Sequence, residues 1–235
     1  MMRFASDKPP TGARWPWCGG FSFFRRPPSG TQILFDFDGV IADSFEVYFS
    51  AFTEVCTELG FDRINSREAF LKLFDGNLIA QLVRAGFPIT RLRKLAEQLT
   101  PRMEAIHRQV LPFPAMPEIL SSLAARYPVY IVTSNHTGMV TAFLDRHGIT
   151  GIREIIGADI EISKIKKIRR IARYAPRARR WYIGDTLGDM YEGRRAGARC
   201  IAVAWGWHDP TRLARGNPYW TAPNPESLTT FSWEE

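Results

Sequence analysis

The chain has 235 residues, 45% of them hydrophobic, which is enough for one large domain or for a core with an inserted lobe. Residues 1–30, with five Lys/Arg and one Asp, hold +4 of the formal net charge of +7, so the body of the chain is not strongly basic. No apolar run approaches the roughly 18–20 residues of a membrane helix, which excludes a membrane-spanning protein and favours a soluble one.

The first thirty residues have the composition of a tail. They contain five prolines and four glycines, with neither helical nor strand periodicity. This composition predicts a disordered basic tail over residues 1–30. An organellar transit peptide and a mis-assigned start are the alternatives, although the segment lacks the serine richness and the amphipathic helix of a transit peptide.

The three cysteines, Cys18, Cys56 and Cys200, are far apart in the sequence. Their spacing matches neither a metal site nor a redox pair, and free thiols are typical of a reducing compartment. We therefore expect a cytoplasmic protein.

From residue 31 onward, short apolar runs alternate with amphipathic stretches, which is typical of an α/β fold with a mostly parallel, Rossmann-like sheet. The predicted strands, each apolar on both faces as in a sheet covered on both sides, are Ile33–Phe37, Val129–Thr133, Trp181–Gly184 and Cys200–Ala204. Pro117 at a first helical turn and Gly148 at a helix end mark two of the intervening helices.

The segment from residue 45 to 111 contains several helical patterns in succession and no strand pattern. Breaks fall at Gly60, at Asp75-Gly76 and at Gly86-Phe87-Pro88. An all-helical stretch between the first and second strands predicts a separate lobe beside the sheet. We therefore expect a core made of residues 31–44 and 112–235, with a helical insert at 45–111.

Polar clusters follow the predicted strands at their carboxyl ends, where open parallel sheets bind ligands. "FDFDG" carries Asp36 and Asp38, "TSN" covers residues 133–135, and "GDTLGD" carries Asp185 and Asp189. Lys164 opens a basic helical segment ahead of the third strand. Each cluster alone is explained equally well by a turn or a helix cap, but their shared position at strand ends favours a site.

The chemistry of these side chains indicates a metal-assisted reaction at phosphorus. Asp36, Asp185 and Asp189 would repel one another without a cation, and an all-oxygen set of ligands favours Mg²⁺. Thr133 offers a hydroxyl, Asn135 an amide and Lys164 a fixed positive charge, which are the donors that surround a phosphoryl group.

In these motifs the chain resembles the haloacid dehalogenase superfamily, in its phosphoglycolate-phosphatase-like branch. "DFDGVIADS" matches the first motif of that family, "IVTSN" the second, Lys164 in "SKIKKI" the third and "GDTLGD" the fourth. The third is the least typical, and Lys166 and Lys167 remain rivals of Lys164. The resemblance runs from about Thr31 to the C-terminus, and the insert at 45–111 is similar to the helical cap of the family; we call it the cap insert.

The resemblance implies a mechanism. Asp36 would be the nucleophile that forms an aspartyl-phosphate, and Asp38 the acid and then the base. Magnesium would be held by Asp36, by the backbone carbonyl of Asp38 and by Asp185, with Asp189 acting through water or by orientation. The phosphoryl oxygens would be held by Thr133, Ser134, Asn135 and Lys164.

The expected function is a magnesium-dependent phosphatase of a small phosphorylated metabolite, similar to phosphoglycolate. A sugar phosphomutase would use the same aspartates.

The segment from Lys164 to Arg180 contains nine Lys/Arg and no acidic residue. This composition allows a third interpretation, a polyanion-binding or nucleic-acid-binding protein. An apolar stripe at helical spacing along this segment favours a solvated helix face instead, so we do not expect nucleic acid as a partner. The sequence leaves the oligomeric state open. Trp205 and Trp207 are predicted to pack at the sheet edge, and a role near the site entrance, as in the family, is the alternative.

Overall fold

The structure, a computed structural model, describes residues 30–234. The predicted tail, apart from Gly30, and Cys18 lie outside this range. Eight strands are present between residues 30 and 234: β1 (Thr31–Phe35), β2 (Ala42–Asp43), β3 (Leu111–Pro112), β4 (Val129–Val132), β5 (Glu154–Ile156), β6 (Arg179–Gly184), β7 (Arg199–Val203) and β8 (Trp220–Ala222). The helices of the same range are α1 (Phe45–Glu58), α2 (Arg67–Lys72), α3 (Leu78–Arg84), α4 (Leu92–His107), α5 (Met116–Ala124), α6 (Thr137–Arg146), α7 (Lys164–Ala172), α8 (Leu187–Arg195) and α9 (Pro210–Ala214).

Six of the strands form one parallel sheet in the order β5-β4-β1-β6-β7-β8. The central strand, β1, is buried along its whole length, and Leu34 lies between Tyr130 of β4 and Tyr182 of β6. The predicted α/β fold is confirmed, and all four predicted strands are present. The edge strands β5 and β8 were not predicted.

Helices cover both faces of this sheet, as the continuous apolar strands require. Ile33 and Phe35 belong to one hydrophobic cluster, which includes residues of α5 and α6. Leu34 belongs to a second cluster on the opposite face, with Ile168 and Ile171 of α7. Alternate side chains of β1 therefore enter different layers, and β1 is held rigidly at the centre of the sheet.

The helices between residues 45 and 107 form a second, smaller core of their own. α1 packs against α4, and Phe52, Val55 and Phe70 are buried within a cluster that contains no strand residue. The predicted break at Gly60 is the left-handed residue that ends α1, with φ +69°. Within residues 30–234, none of the helices is both long and apolar enough to cross a membrane.

The chain enters and leaves these helices at one place. β2 and β3 form a separate antiparallel pair, in which Asp43 lies opposite Leu111 and Ala42 opposite Pro112. We propose this pair as the boundary between the core and the cap insert, because both connections cross there.

Candidate active site

The candidate site lies at the carboxyl ends of three neighbouring strands of the sheet. Asp36 directly follows β1, Thr133 follows β4 and Asp185 follows β6. These strands are adjacent and parallel, in the order β4-β1-β6, so their ends meet at the same edge. The sheet thus brings together residues that are up to about 150 positions apart in sequence.

Asp36 is buried and held from both sides. Its backbone N–H donates to the carbonyl of Ile183 at 2.8 Å, and its Oδ1 accepts the N–H of Phe37 at 2.8 Å. Its Oδ2 lies 2.5 Å from Nζ of Lys164. Burial raises the pKa of Asp36 well above its usual value, and the Lys164 charge opposes this effect. The lysine therefore favours the charged form that a nucleophile needs.

Of the three candidate lysines, Lys164 is the one that contacts the aspartates. Its Nζ lies 2.5 Å from Asp36 and 2.7 Å from Asp189. Lys166 is exposed and lies 3.8 Å from Glu161. Lys167 is buried and donates to a backbone carbonyl behind the site. Although burial alone would lower the pKa of Lys164, the charges of Asp189 and Asp36 raise it well above its usual value.

Three of the predicted metal-binding carboxylates lie together. One oxygen from each of Asp36, Asp185 and Asp189 lies within 4.8 Å of the others. The pKa of Asp185 is raised, first by burial and then by the charges of Asp189 and Asp36. A divalent cation would relieve this repulsion, and the all-oxygen donors fit a hard ion such as Mg²⁺.

Asp189 differs from the other two because each of its oxygens accepts two hydrogen bonds. Oδ1 accepts from Lys164 at 2.7 Å and from the Tyr182 hydroxyl at 2.9 Å. Oδ2 accepts from the Thr186 hydroxyl at 2.5 Å, and Thr186 in turn caps α8. Burial opposes ionisation of Asp189, but Lys164 and these hydrogen bonds hold its pKa below the usual value. The family resemblance implied that Asp189 acts on the metal through water or by orientation. The geometry favours orientation.

Asp185 fits between two loop positions, 39 and 206, because both are glycines. A Cβ on Gly39, which has φ +71°, would lie 1.9 Å from Oδ2 of Asp185. A Cβ on Gly206 would lie 2.2 Å from Cβ of Asp185. The N–H of Trp207 donates to Oδ2 of Asp185 at 2.9 Å and fixes its rotamer. Gly206 and Trp207 belong to the loop for which the sequence left open packing at the sheet edge and a role near the site entrance.

Asp38 lies beside Asp36 but is partly exposed. Its Oδ1 accepts from the Ser44 hydroxyl at 2.9 Å, and its Oδ2 accepts from Nδ2 of Asn135 at 2.8 Å. Burial raises the pKa of Asp38 to about 6, against the opposing effect of these hydrogen bonds and of Lys164. A carboxyl group with a pKa near neutrality can both give and take a proton.

The predicted phosphate-binding residues of the second motif have three different environments. The side chain of Thr133 is fully buried, and its Oγ1 accepts the N–H of Asn135 at 3.0 Å. Ser134 is exposed. The amide of Asn135 lies between Asp38 and Tyr48, whose hydroxyl donates to Oδ1 of Asn135. Sequence reasoning missed Tyr48, because no motif marks a partner that comes from the cap insert. It also missed Ser44, which ends the first motif but was given no role.

The loop after β7 holds the cap insert against the core. Trp207, partly buried, packs against four aromatic rings of the insert: those of Phe45, Tyr48, Phe70 and Phe74. Nδ1 of His208 accepts the N–H of Leu187 at 3.0 Å, which leaves Nε2–H to donate to the carbonyl of Leu71 at 2.9 Å. Arg212 forms a two-pronged ion pair with Asp75, at 2.6 and 2.7 Å. The packing role predicted for Trp207 therefore includes contacts with the cap insert.

Comparison with known proteins agrees with this geometry. The sequence model of the haloacid dehalogenase-like hydrolase family matches residues 33–203. The chain belongs to this family, and the resemblance predicted from its motifs is confirmed.

Individual relatives cover most of the chain. A phosphoglycolate phosphatase from Synechococcus elongatus is 27% identical over 203 residues, which are 83% of this chain and 94% of that protein. A haloacid dehalogenase-like hydrolase from Streptococcus pneumoniae is 25% identical, with a TM-score of 0.70 over 87% of this chain and 99% of its own. CbbY from Rhodobacter sphaeroides, solved in complex with phosphate, is similar in fold, with 23% identity, a TM-score of 0.63 and coverage of 84% and 95%.

Proposed function

We propose that this chain is a magnesium-dependent phosphatase that hydrolyses a small phosphomonoester through an aspartyl-phosphate on Asp36. Its membership of the hydrolase family and its likeness to a curated phosphatase make it a phosphoric monoester hydrolase. The observation that carries the mechanism is the pairing of two aspartates with different surroundings. Asp36 is buried beside Lys164, and Asp38 has a pKa of about 6.

In the first step, an Oδ of Asp36 attacks phosphorus and the bond from phosphorus to the leaving oxygen breaks. Protonated Asp38 gives its proton to that oxygen, so the alcohol leaves neutral. In the second step, a water molecule attacks the aspartyl-phosphate and gives a proton to Asp38. Phosphate is released, and both carboxyl groups return to their starting states.

Positioning of the phosphoryl group falls to the residues around these two aspartates. We assign its oxygens to Lys164 and to the loop of residues 133–135, because both lie at the carboxyl end of the sheet beside Asp36. The amide of Asn135 donates to Asp38, so we propose that it orients the acid more than it holds phosphate.

The metal site that we propose consists of Asp36, Asp185 and the backbone carbonyl of Asp38, with Asp189 as the orienting residue. Mg²⁺ at this site would neutralise charge on the phosphoryl oxygens. The glycines at 39 and 206 support the proposal, since each leaves room for Asp185 beside the other ligands.

The substrate that we favour is phosphoglycolate or a small ester of similar size, because the relative from Synechococcus elongatus is a phosphoglycolate phosphatase. We place the enzyme in the cytoplasm, because Cys56 and Cys200 are free and buried and free thiols are typical of a reducing compartment. Polyanion binding by the basic run of α7 has less support from the geometry than catalysis has. Lys164 and Lys167 of its basic run face the core, and Arg170 is paired with Glu154 at 2.9 Å.

The test is phosphate release from a panel of phosphomonoesters, with Mg²⁺ and with excess chelator. We expect turnover of at least one small ester that stops with chelator and returns with Mg²⁺. A parallel assay for isomerisation of sugar phosphates distinguishes a mutase. Turnover that persists in chelator would contradict the metal site, and isomerisation without phosphate release would contradict the phosphatase.

A further inference from the structure

We propose that Tyr48, in the first turn of α1, is a positioning residue that acts through Asn135 to hold Asp38 for proton transfer. The inference rests on the proposed function and assigns it a residue outside the four motifs. It makes the acid–base group dependent on the cap insert, because Tyr48 of the insert holds the Asn135 amide that donates to Asp38.

The first step of the argument is the orientation of the Asn135 amide. An amide side chain has one accepting oxygen and one donating nitrogen, and it can be turned either way. The Tyr48 hydroxyl donates to Oδ1 of Asn135, which directs Nδ2 towards Oδ2 of Asp38 at 2.8 Å. In the opposite orientation, Oδ1 of Asn135 would face Oδ2 of the Asp38 carboxylate, and the two oxygens would repel each other. Tyr48 therefore satisfies the Asn135 oxygen in the orientation that supports Asp38.

The second step is that Tyr48 remains a donor. A tyrosine phenol ordinarily has a pKa of about 10. The phenol is therefore protonated across the neutral range. Its ring is held in place by the ring of Trp207, at a centroid distance of 5.8 Å.

The third step is the first turn of α1 itself. Ser44 occupies the N-cap position of this helix, yet its side chain does not cap the helix. Its hydroxyl donates to Oδ1 of Asp38 at 2.9 Å instead. The N–H of Tyr48 donates to the carbonyl of Ser44 at 3.0 Å, so the two residues belong to one helical turn. This turn contacts one oxygen of Asp38 directly and the other through Asn135.

The experiment compares wild type with Tyr48→Phe, which removes only the hydroxyl. The substrates are p-nitrophenyl phosphate, which has a good leaving group, and the best alkyl phosphate of the panel. We expect kcat/KM for the alkyl ester, which reports the first step, to fall about 3–10-fold, the effect of one lost hydrogen bond. kcat/KM for the aryl ester should change less than about twofold, because a phenolate needs little proton transfer in order to leave. Steady-state kcat also includes the second step, in which Asp38 activates water for both esters, so it does not separate them.

A matched control and a double variant complete the test. Tyr219→Phe removes a hydroxyl at the opposite end of the sheet, before β8, and should leave both rates unchanged. In an Asn135→Ala background, Tyr48→Phe should cause no further loss of alkyl activity, because its effect passes through Asn135. Equal losses on both esters, an unchanged alkyl rate, or losses that multiply in the double variant would overturn the inference. If wild type releases phosphate from no ester, it is the proposed function that fails.

Discussion

Replacing Asp38, the proposed acid–base residue, should make the protein more stable. In the metal-free protein, the pKa of Asp38 is raised from 3.8 to about 6 by burial. Its carboxyl group therefore holds a proton more tightly in the folded chain than in the unfolded chain. Because the folded chain binds more protons, stability falls as pH rises from about 4 to about 6 and then levels off. The change Asp38→Asn removes the ionisable group and with it this decline.

The size of the effect follows from the shift. A difference of roughly two pKa units corresponds to about 3 kcal/mol of stability lost above pH 6. Asp38 is partly exposed, so we reduce the expected value to about 1–2 kcal/mol. The new amide keeps suitable partners, since its oxygen can accept from Asn135 and its nitrogen can donate to the Ser44 hydroxyl.

The assay is urea denaturation of wild type and Asp38→Asn in chelator, between pH 4 and pH 8. The free energies of unfolding should be nearly equal at pH 4, and the variant should be about 1–2 kcal/mol more stable at pH 7.5. Asp43→Asn removes a nearby exposed carboxylate and serves as the control. A variant that is less stable than wild type by the same amount at every pH would refute the reasoning.

Three further outcomes follow from other contacts. Lys164→Met should lower kcat about 10²–10³-fold. The control, Lys166→Met, changes an exposed lysine and should leave the rate of phosphate release within twofold of wild type. Equal losses in the two variants would mean that the wrong lysine is assigned. Gly39→Ala should lower kcat/KM roughly 100-fold, because the added Cβ would lie 1.9 Å from Oδ2 of Asp185 and displace that carboxylate. Wild-type activity in this variant would show that Asp185 does not need a glycine at position 39. Arg212→Gln should lower the free energy of unfolding by about 1–2 kcal/mol in urea, because it breaks the partly buried pair with Asp75; an unchanged value would show that this contact between core and insert contributes nothing.

The strands differed in how well they could be predicted from sequence. Ile33–Phe37 and Cys200–Ala204 are visible because strands buried on both faces appear as continuous apolar runs. β5 and β8 have only three residues each, at or near an edge, and include Glu154 and Thr221. Their assignment depends on pairing with β4 and β7, which local composition does not encode.

The residues of the candidate site also differ in how well they could be predicted from sequence. Asp36 and Asp185 were predictable because each occupies a fixed place in a motif, whereas the third motif left three lysines open and only the contacts with Asp36 and Asp189 single out Lys164. Tyr48 was not, since its partner Asn135 lies 87 residues away and they meet only when the cap insert packs on the core. The occupied oxygens of Asp189 were equally hidden, because they depend on where Tyr182 and Lys164 point.

The most direct test of the proposed mechanism is to trap the phosphoryl group on the chain. We would mix p-nitrophenyl phosphate and Mg²⁺ with wild type, Asp38→Asn and Asp36→Asn, quench rapidly in acid, and locate the modified residue by peptide mass spectrometry. We predict one phosphoryl group on Asp36, with the largest amount in Asp38→Asn, because that variant cannot activate the water of the second step. Asp36→Asn should carry none and should release almost no phosphate. Phosphate release by Asp36→Asn at more than a few per cent of the wild-type rate, or a phosphoryl group on another residue, would contradict nucleophilic catalysis by Asp36.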